Sequence, residues 1–355
     1  MIGLFSYLIF FLIIALIFGV AVLGLNLQWG FTGLFNAGVV GFMAVGGYAT
    51  AIMIGREREA VVGGFELPFV IGLGGGMIAS GIAALIVGLA TLRLREEYLA
   101  VATFGIAVTI QLVALNAEWL TGGTLGLIGL PRPLQSSIEG PLAYNSFYLA
   151  MVIAIVAVAY IGLERMVRSP WGRVLKAIRE DETAAASLGK NPARIRLEAF
   201  VLGSMLMGLA GGLYVGFIGY VGPFDFQPIV TFQIWAMLII GGSANNRGAL
   251  LGAALVWGIW TSSGYVISKL VPATYQTQGG AFQVILIGLL LVLILLYRPR
   301  GLIGEEEHVS HHARPTATGS PLTSTDGSSA ATDGSSTATD SPSTATGSSL
   351  AARDS

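Results

Sequence analysis

A succession of apolar runs constrains this chain more than any other feature, because most of them are as long as a bilayer's hydrocarbon core is thick. They fall at residues 4–23, 31–54, 67–89, 98–117, 146–163, 199–221, 230–242, 250–267 and 282–297. A spanning helix takes about 20 mostly apolar residues; 230–242 is short and reads as a half-span. Eight or nine crossings follow. They are expected to be helices, since lipid cannot satisfy exposed backbone N–H and C=O groups. No ten-residue alternation suggests a barrel. Only 11% of the chain is charged, against about 25% in a soluble domain. The reading is an all-α, polytopic membrane protein with lipid as its main solvent. The first run lacks a basic start and leads straight into more membrane, so it reads as a retained helix rather than a signal peptide. The chain has no cysteine, which removes disulfides, thiolate metal sites and cysteine nucleophiles.

The polar residues are unevenly placed. Eight of the nineteen Lys and Arg residues lie in one island, 164–198. Beyond residue 304 lie seven of the twenty acids and only two arginines, so the net charge of −1 divides into +4 for the body and −5 for the tail. The domain reading is a membrane body over 1–304 and a Ser/Thr/Asp-rich tail over 305–355. That tail repeats TDGSS and has too little apolar surface to offset its ordering entropy, so it is expected to be disordered. Positive residues mark the cytoplasmic side. The island, Arg93 with Arg95, and Arg298 with Arg300 therefore belong inside. Nine spans then put the N-terminus outside and the C-terminus in the cytoplasm of a cell whose plasma membrane holds the chain. Arg56 and Arg58 run against this scheme. The Gly- and Pro-rich stretch 119–145 reads as an irregular external loop. The glycine runs at 72–76 and 208–212 read as surfaces for close helix approach. No internal repeat of fixed period is visible.

The island carries its own punctuation. Ser169-Pro170 is a helix start. Val174, Leu175 and Ile178 then make an apolar stripe, with Arg173, Lys176 and Arg179 as polar positions around it. Asp181 is placed to cap a second, short helix, with Glu182 in its first turn and Ala184, Ala185 and Ala186 keeping it slim. Gly189 suits the position that stops it. Asn191-Pro192 starts the return to the membrane. Such a knob fits a groove on a partner; a loop lying on anionic headgroups fits equally well.

The stretch 172–214, GRVLKAIREDETAAASLGKNPARIRLEAFVLGSMLMGLAGGLY, resembles the coupling region of permease subunits in ABC importers of branched-chain amino acids, the LivM/LivH family. Within it, ETAAASLG is similar to that family's form of the EAA motif. The resemblance continues through 24–53, 92–113, 120–133 and 238–255, and the LREEYLA and LTGGTLGL stretches lean to the LivM side. It implies an ABC importer permease fold. It also implies that this chain pairs with a second, LivH-like permease subunit above two ATPase subunits, and is served by an extracytoplasmic binding protein. ATP and Mg would be bound by those ATPases, with no cofactor or metal in this chain. The ATPase-coupling residues it points to are Gly172, Arg173, Ile178, Arg179, Asp181, Glu182, Ala185 and Gly189.

What is missing agrees with that division of labour. There is no GxxxxGK[ST] phosphate loop, no histidine in the body, and no catalytic pair within the spans. A non-enzymatic, externally powered transporter is therefore expected, with no nucleic acid partner. An ion-coupled carrier would show buried carboxylates or inverted repeats; neither is apparent in the sequence. Asn36, Thr103 and Gln111 are the polar residues chosen as lining a path for a zwitterion, though helix-to-helix hydrogen bonding would use them equally. Branched-chain amino acids are the expected cargo, with urea or short amides as the alternative.

Overall fold

A computed structural model describes residues 2–57, 61–135, 138, 140–270, 279–298 and 301–304. The tail from 305 and Arg58 lie outside the described residues. The nine apolar runs each become helix. They are α1 (Ile2–Leu25), α2 (Val39–Ile54), α3 (Phe69–Thr91), α4 (Glu96–Asn116), α6 (Pro141–Arg168), α9 (Pro192–Ile218), α10 (Pro228–Gly241), α11 (Asn246–Leu270) and α12 (Gly279–Tyr297). Seven are long and apolar enough to cross a membrane; α2 and α10, of 16 and 14 residues, are shorter. Between them lie α5 (Glu118–Thr121), α7 (Pro170–Glu180) and α8 (Glu182–Ser187).

Two expectations need correction. The run 31–54 is not one helix. Instead, α1 continues through a π-helical turn, Asn26–Gly30, and residues 31–38 are irregular before α2 starts at Val39. Hydropathy missed this break because Phe31, Leu34 and Phe35 are apolar. Gly33, at φ +76°, and the side chains of Asn26, Gln28 and Asn36 supply what a helix would not. The external stretch is also more ordered than its composition implied. Leu127–Ile128 pairs antiparallel with Tyr220–Val221, and Leu130 N donates to Gly219 O at 3.0 Å.

At the centre, α9 packs against both α2 and α3, and α1 packs against α9, α11 and α6. These contacts are made by backbone. A Cβ placed on Gly46 or Gly211 would collide with the facing chain at Gly208 or Met43, and one on Gly24 with Gly203. Both glycine runs serve this purpose: Gly76 meets Gly46, and Gly212 meets Thr50. In lipid, where apolar side chains gain little by meeting each other, such close approach is what holds helices together.

The helix ends define two poles. At one, Ala244 N donates to Asn26 Oδ1, Asn246 Nδ2 donates to Glu164 Oε2, and Asn245 Nδ2 donates to Gly304 O. At the other lie Val62 with Trp119 and Leu130 with Gly219. Following the chain between poles, α1 and α9 run in opposite directions. Each is followed by a break, a short helix, a long helix and a further helix. α9 packs on α2 and α3, and α1 in turn on α10 and α11. The body thus contains two inverted halves, which no fixed sequence period announced.

Candidate functional site

The island 164–198 folds into α7, α8 and the start of α9 at the pole that holds Gly30 and Glu164. Gly172 allows the sharp corner after α6: a Cβ there would strike the Val167 carbonyl. Leu175 and Ile178 are buried, and Arg173 is exposed. Lys176 and Arg179 differ from expectation, because they turn inward rather than to solvent. The Arg179 guanidinium donates to Gly30 O, and the Lys176 ammonium stands 5.8 Å from the Phe31 ring centroid. α7 is therefore pinned directly onto the π-helical turn. Ser169 does not cap α7 with its side chain; its hydroxyl donates to Met166 O at 2.6 Å and finishes α6 instead.

Asp181 caps α8 as its position suggested. Its Oδ1 accepts from Thr183 N, Thr183 Oγ1 and Ala184 N at 2.8, 2.6 and 3.0 Å. Those bonds, the Thr183 hydroxyl first, hold its carboxyl below the ordinary carboxylate range. Gly189 ends α8 at φ +77°, with Gly189 N donating to Ala186 O and Lys190 N to Ala185 O, the paired closure of a Schellman motif. Asn191 Oδ1 accepts from Arg194 N at 3.2 Å and starts α9. Ala185 is buried beneath the knob, while Thr183, Ala184, Ala186 and Ser187 face outward. Sequence reasoning missed two residues here. Arg196 pairs with Glu182 at 2.7 Å and ties α8 to α9. Leu188 stands 81% exposed at the tip; an exposed leucine beside a capped Ala-rich turn was the signal that could have marked it.

A family model described as "Branched-chain amino acid transport system / permease component" matches residues 7–295. The chain belongs to that permease family. Among curated relatives, the permease is 29% identical over 303 residues to the "High-affinity branched-chain amino acid transport system permease protein LivM" of Salmonella typhimurium, covering 79% of this chain and 66% of that protein. It is 28% identical over 321 residues to the "Probable branched-chain amino acid transport permease protein LivM" of Methanocaldococcus jannaschii, covering 80% and 89%. A more distant relative, at 25% over 248 residues, is the "Autoinducer 2 import system permease protein LsrC" of Yersinia pseudotuberculosis, covering 64% and 67%. The permease thus spans about two thirds of the length of its Salmonella relative. No solved structure matches it.

Within the permease, the three residues chosen for a path are placed differently from one another. Asn36 is fully buried. Its Nδ2 donates to Gln28 Oε1 at 2.8 Å and its Oδ1 accepts from Gly38 N at 2.7 Å. Thr103 is also buried; its hydroxyl donates to Leu99 O and accepts from Ala37 N. Gln111, part-buried on α4, donates to Pro223 O at 3.2 Å. The structure therefore brings Asn36 and Thr103 together around the break at 31–38 and leaves Gln111 near the opposite pole. Gln28 completes the inner network, donating to Phe200 O and Ser204 Oγ of α9 at 2.7 and 3.0 Å. Trp235 Nε1 donates to Asn36 O at 2.9 Å, and its ring stacks on Phe35 at 4.3 Å.

Proposed function

We propose that this chain is a permease subunit of an ATP-powered importer for branched-chain or related amino acids, with α7 and α8 as the surface that receives motion from an ATPase subunit. The observation that carries this reading is the anchoring of the knob. One arm, Glu182–Arg196, joins it to α9; the other, Arg179 to Gly30 O, joins α7 to the π-helical turn. A push on α8 reaches both inverted halves at once. The names of the relatives support the cargo class, and the lack of a GxxxxGK[ST] loop in the sequence supports the reading that partner subunits bind ATP and Mg.

The basic island puts this pole in the cytoplasm of a plasma-membrane protein. A second permease, two ATPases and an extracytoplasmic binding protein complete the assembly. Closure of the ATPases on ATP moves the knob and exchanges outward-open for inward-open arrangements of the spans. Because the fold has inverted halves, a lack of repeats no longer argues against an ion-coupled carrier; the family match carries that distinction. The test is reconstitution of the chain with its partners. ATP-dependent uptake of labelled leucine, lost with Glu182→Lys or Gly189→Trp in protein that still inserts, supports the reading. Uptake indifferent to ATP, or unaltered in both variants, refutes it. Labelled urea in parallel assigns the cargo.

A further inference from the structure

At the pole away from α7 and α8, a carboxylate sits beside a tyrosine with no ion-pair partner among the described residues. The segment joining α9 to α10 makes a 3-10 turn, Pro223–Phe226, held by Gln111 of α4 through Pro223 O. Asp225 lies half-buried in this turn. Its Oδ2 accepts from Gly222 N at 3.0 Å, but Oδ1 has only a long contact, 3.5 Å, from the Tyr214 hydroxyl. Among the described residues Glu164, Glu198 and Glu182 are paired with Arg168, Arg194 and Arg196, whereas no ion pair to Asp225 is found. Burial pushes its carboxyl above the ordinary carboxylate value, while Gly222 and Tyr214 pull it back. A charge left this way is costly unless something compensates it.

Tyr48 of α2 supplies an independent observation. The residue is only 7% exposed. Its hydroxyl is buried and makes no hydrogen bond among the described residues. Tyr220 folds over Gly222, its hydroxyl where a Cβ there would stand. The Phe226 ring lies 6.1 Å from that of Tyr48 and 6.5 Å from that of Tyr214. The Tyr214 hydroxyl meets the Asp225 carboxylate, and the Phe226 ring, next to Asp225 in the chain, packs near both the Tyr48 and the Tyr214 rings. An ammonium group, with three donors and an affinity for ring faces, matches that set. Aliphatic side chains or carboxylates do not.

We propose that Asp225, with Tyr48 and Tyr214, forms a site for the ammonium group of an amine-bearing substrate at the mouth of the permease opposite the coupling pole. The assignment rests on the amino-acid permease reading. Two substitutions separate it from a structural role. Asp225→Asn keeps an acceptor for Gly222 N–H and removes the charge. Tyr48→Phe removes a hydroxyl with no hydrogen-bond partner among the described residues, so a purely structural residue would tolerate it or gain from it.

The measurement is uptake of labelled leucine by the complete importer at saturating binding protein, with co-purification of the partner subunits as the control on assembly. The expected result is a fall of about tenfold or more in each variant, the scale of one lost charge-assisted hydrogen bond, with wild-type co-purification and partial recovery in Asp225→Glu. Wild-type uptake in either variant overturns the site. A loss of wild-type uptake when sodium is replaced by potassium assigns the carboxylate to sodium and also overturns it. A wild-type importer that moves no leucine instead refutes the cargo reading, and the site falls with it.

Discussion

The Arg196 guanidinium of α9 lies 2.7 Å from the Glu182 carboxylate of α8, across two separate helix starts, with Arg196 only 16% exposed and Glu182 46%. This pair sets the angle at which the knob leaves the membrane helix. Glu182→Lys places two cations in that corner. It is expected to cost about 1 kcal/mol or less in stability, as partly exposed pairs do, yet to abolish co-purification with the ATPase. The reversed pair, Glu182→Arg with Arg196→Glu, recovers part of both. A double-mutant cycle read by thermal unfolding and pull-down checks this; a coupling energy near zero refutes it.

Leu188 predicts a different separation. Its side chain is exposed at the tip, so replacing it by Asp removes no packing within this chain. The melting temperature of purified Leu188→Asp is expected to match wild type, while ATPase binding falls by about tenfold or more, as for an apolar anchor at an interface centre. Unaltered binding by pull-down moves the docking surface elsewhere on the knob.

Arg179 separates docking from transmission. It faces the π-helical turn, not the outer surface of α8. Arg179→Gln is therefore expected to keep the ATPase bound and its ATP hydrolysis running while leucine uptake falls. Measured as ATP hydrolysed per leucine moved, the ratio rises several-fold, the size of about 1 kcal/mol of lost coupling. A constant ratio removes Arg179 from the route.

Asp181 gives a pH dependence whose sign is fixed. Its folded pKa lies below the unfolded value because Thr183 and Ala184 bond the ionised form. The cap thus stabilises α8 fully above the unfolded pKa, and that stability disappears as pH falls through the lower, folded one. Hydrogen exchange at the Thr183 and Ala184 amides is expected to lose protection only below the ordinary aspartate range. In Asp181→Asn this pH step disappears. A step in the wild type at the ordinary carboxylate value contradicts the capping account.

Much of this was legible in the sequence because it is local or repetitive. Hydropathy located all nine helices, since burial in lipid is a property of residue type. Asp181, Gly189 and Asn191-Pro192 were legible for another reason: caps act on backbone groups two to four residues away. The break at 31–38 was not, because its irregular backbone is tolerated only through Gln28, Asn36 and Thr103 and their bonds to distant segments. Arg179 and Arg196 were likewise invisible as anchors. Their charge placed them on the cytoplasmic side, but only the fold sets them against Gly30 and Glu182. Asp225 gives no local signal of its setting, since Tyr48 comes from α2, far from it along the chain.

The seam of glycines between α2 and α9 has a mechanical consequence. Where backbones touch at Gly46, Gly208 and Gly211, no side chain exists to change rotamer and absorb a displacement. The two helices are effectively one strut. From Arg196, beside the knob, to Tyr214, beside Asp225, α9 runs eighteen residues without interruption, a length of about 27 Å at the α-helical rise. A tilt imposed at the α7–α8 end is delivered undamped at the Asp225 end. Gearing between the two compartments then depends on a single stiff rod rather than a relay of contacts.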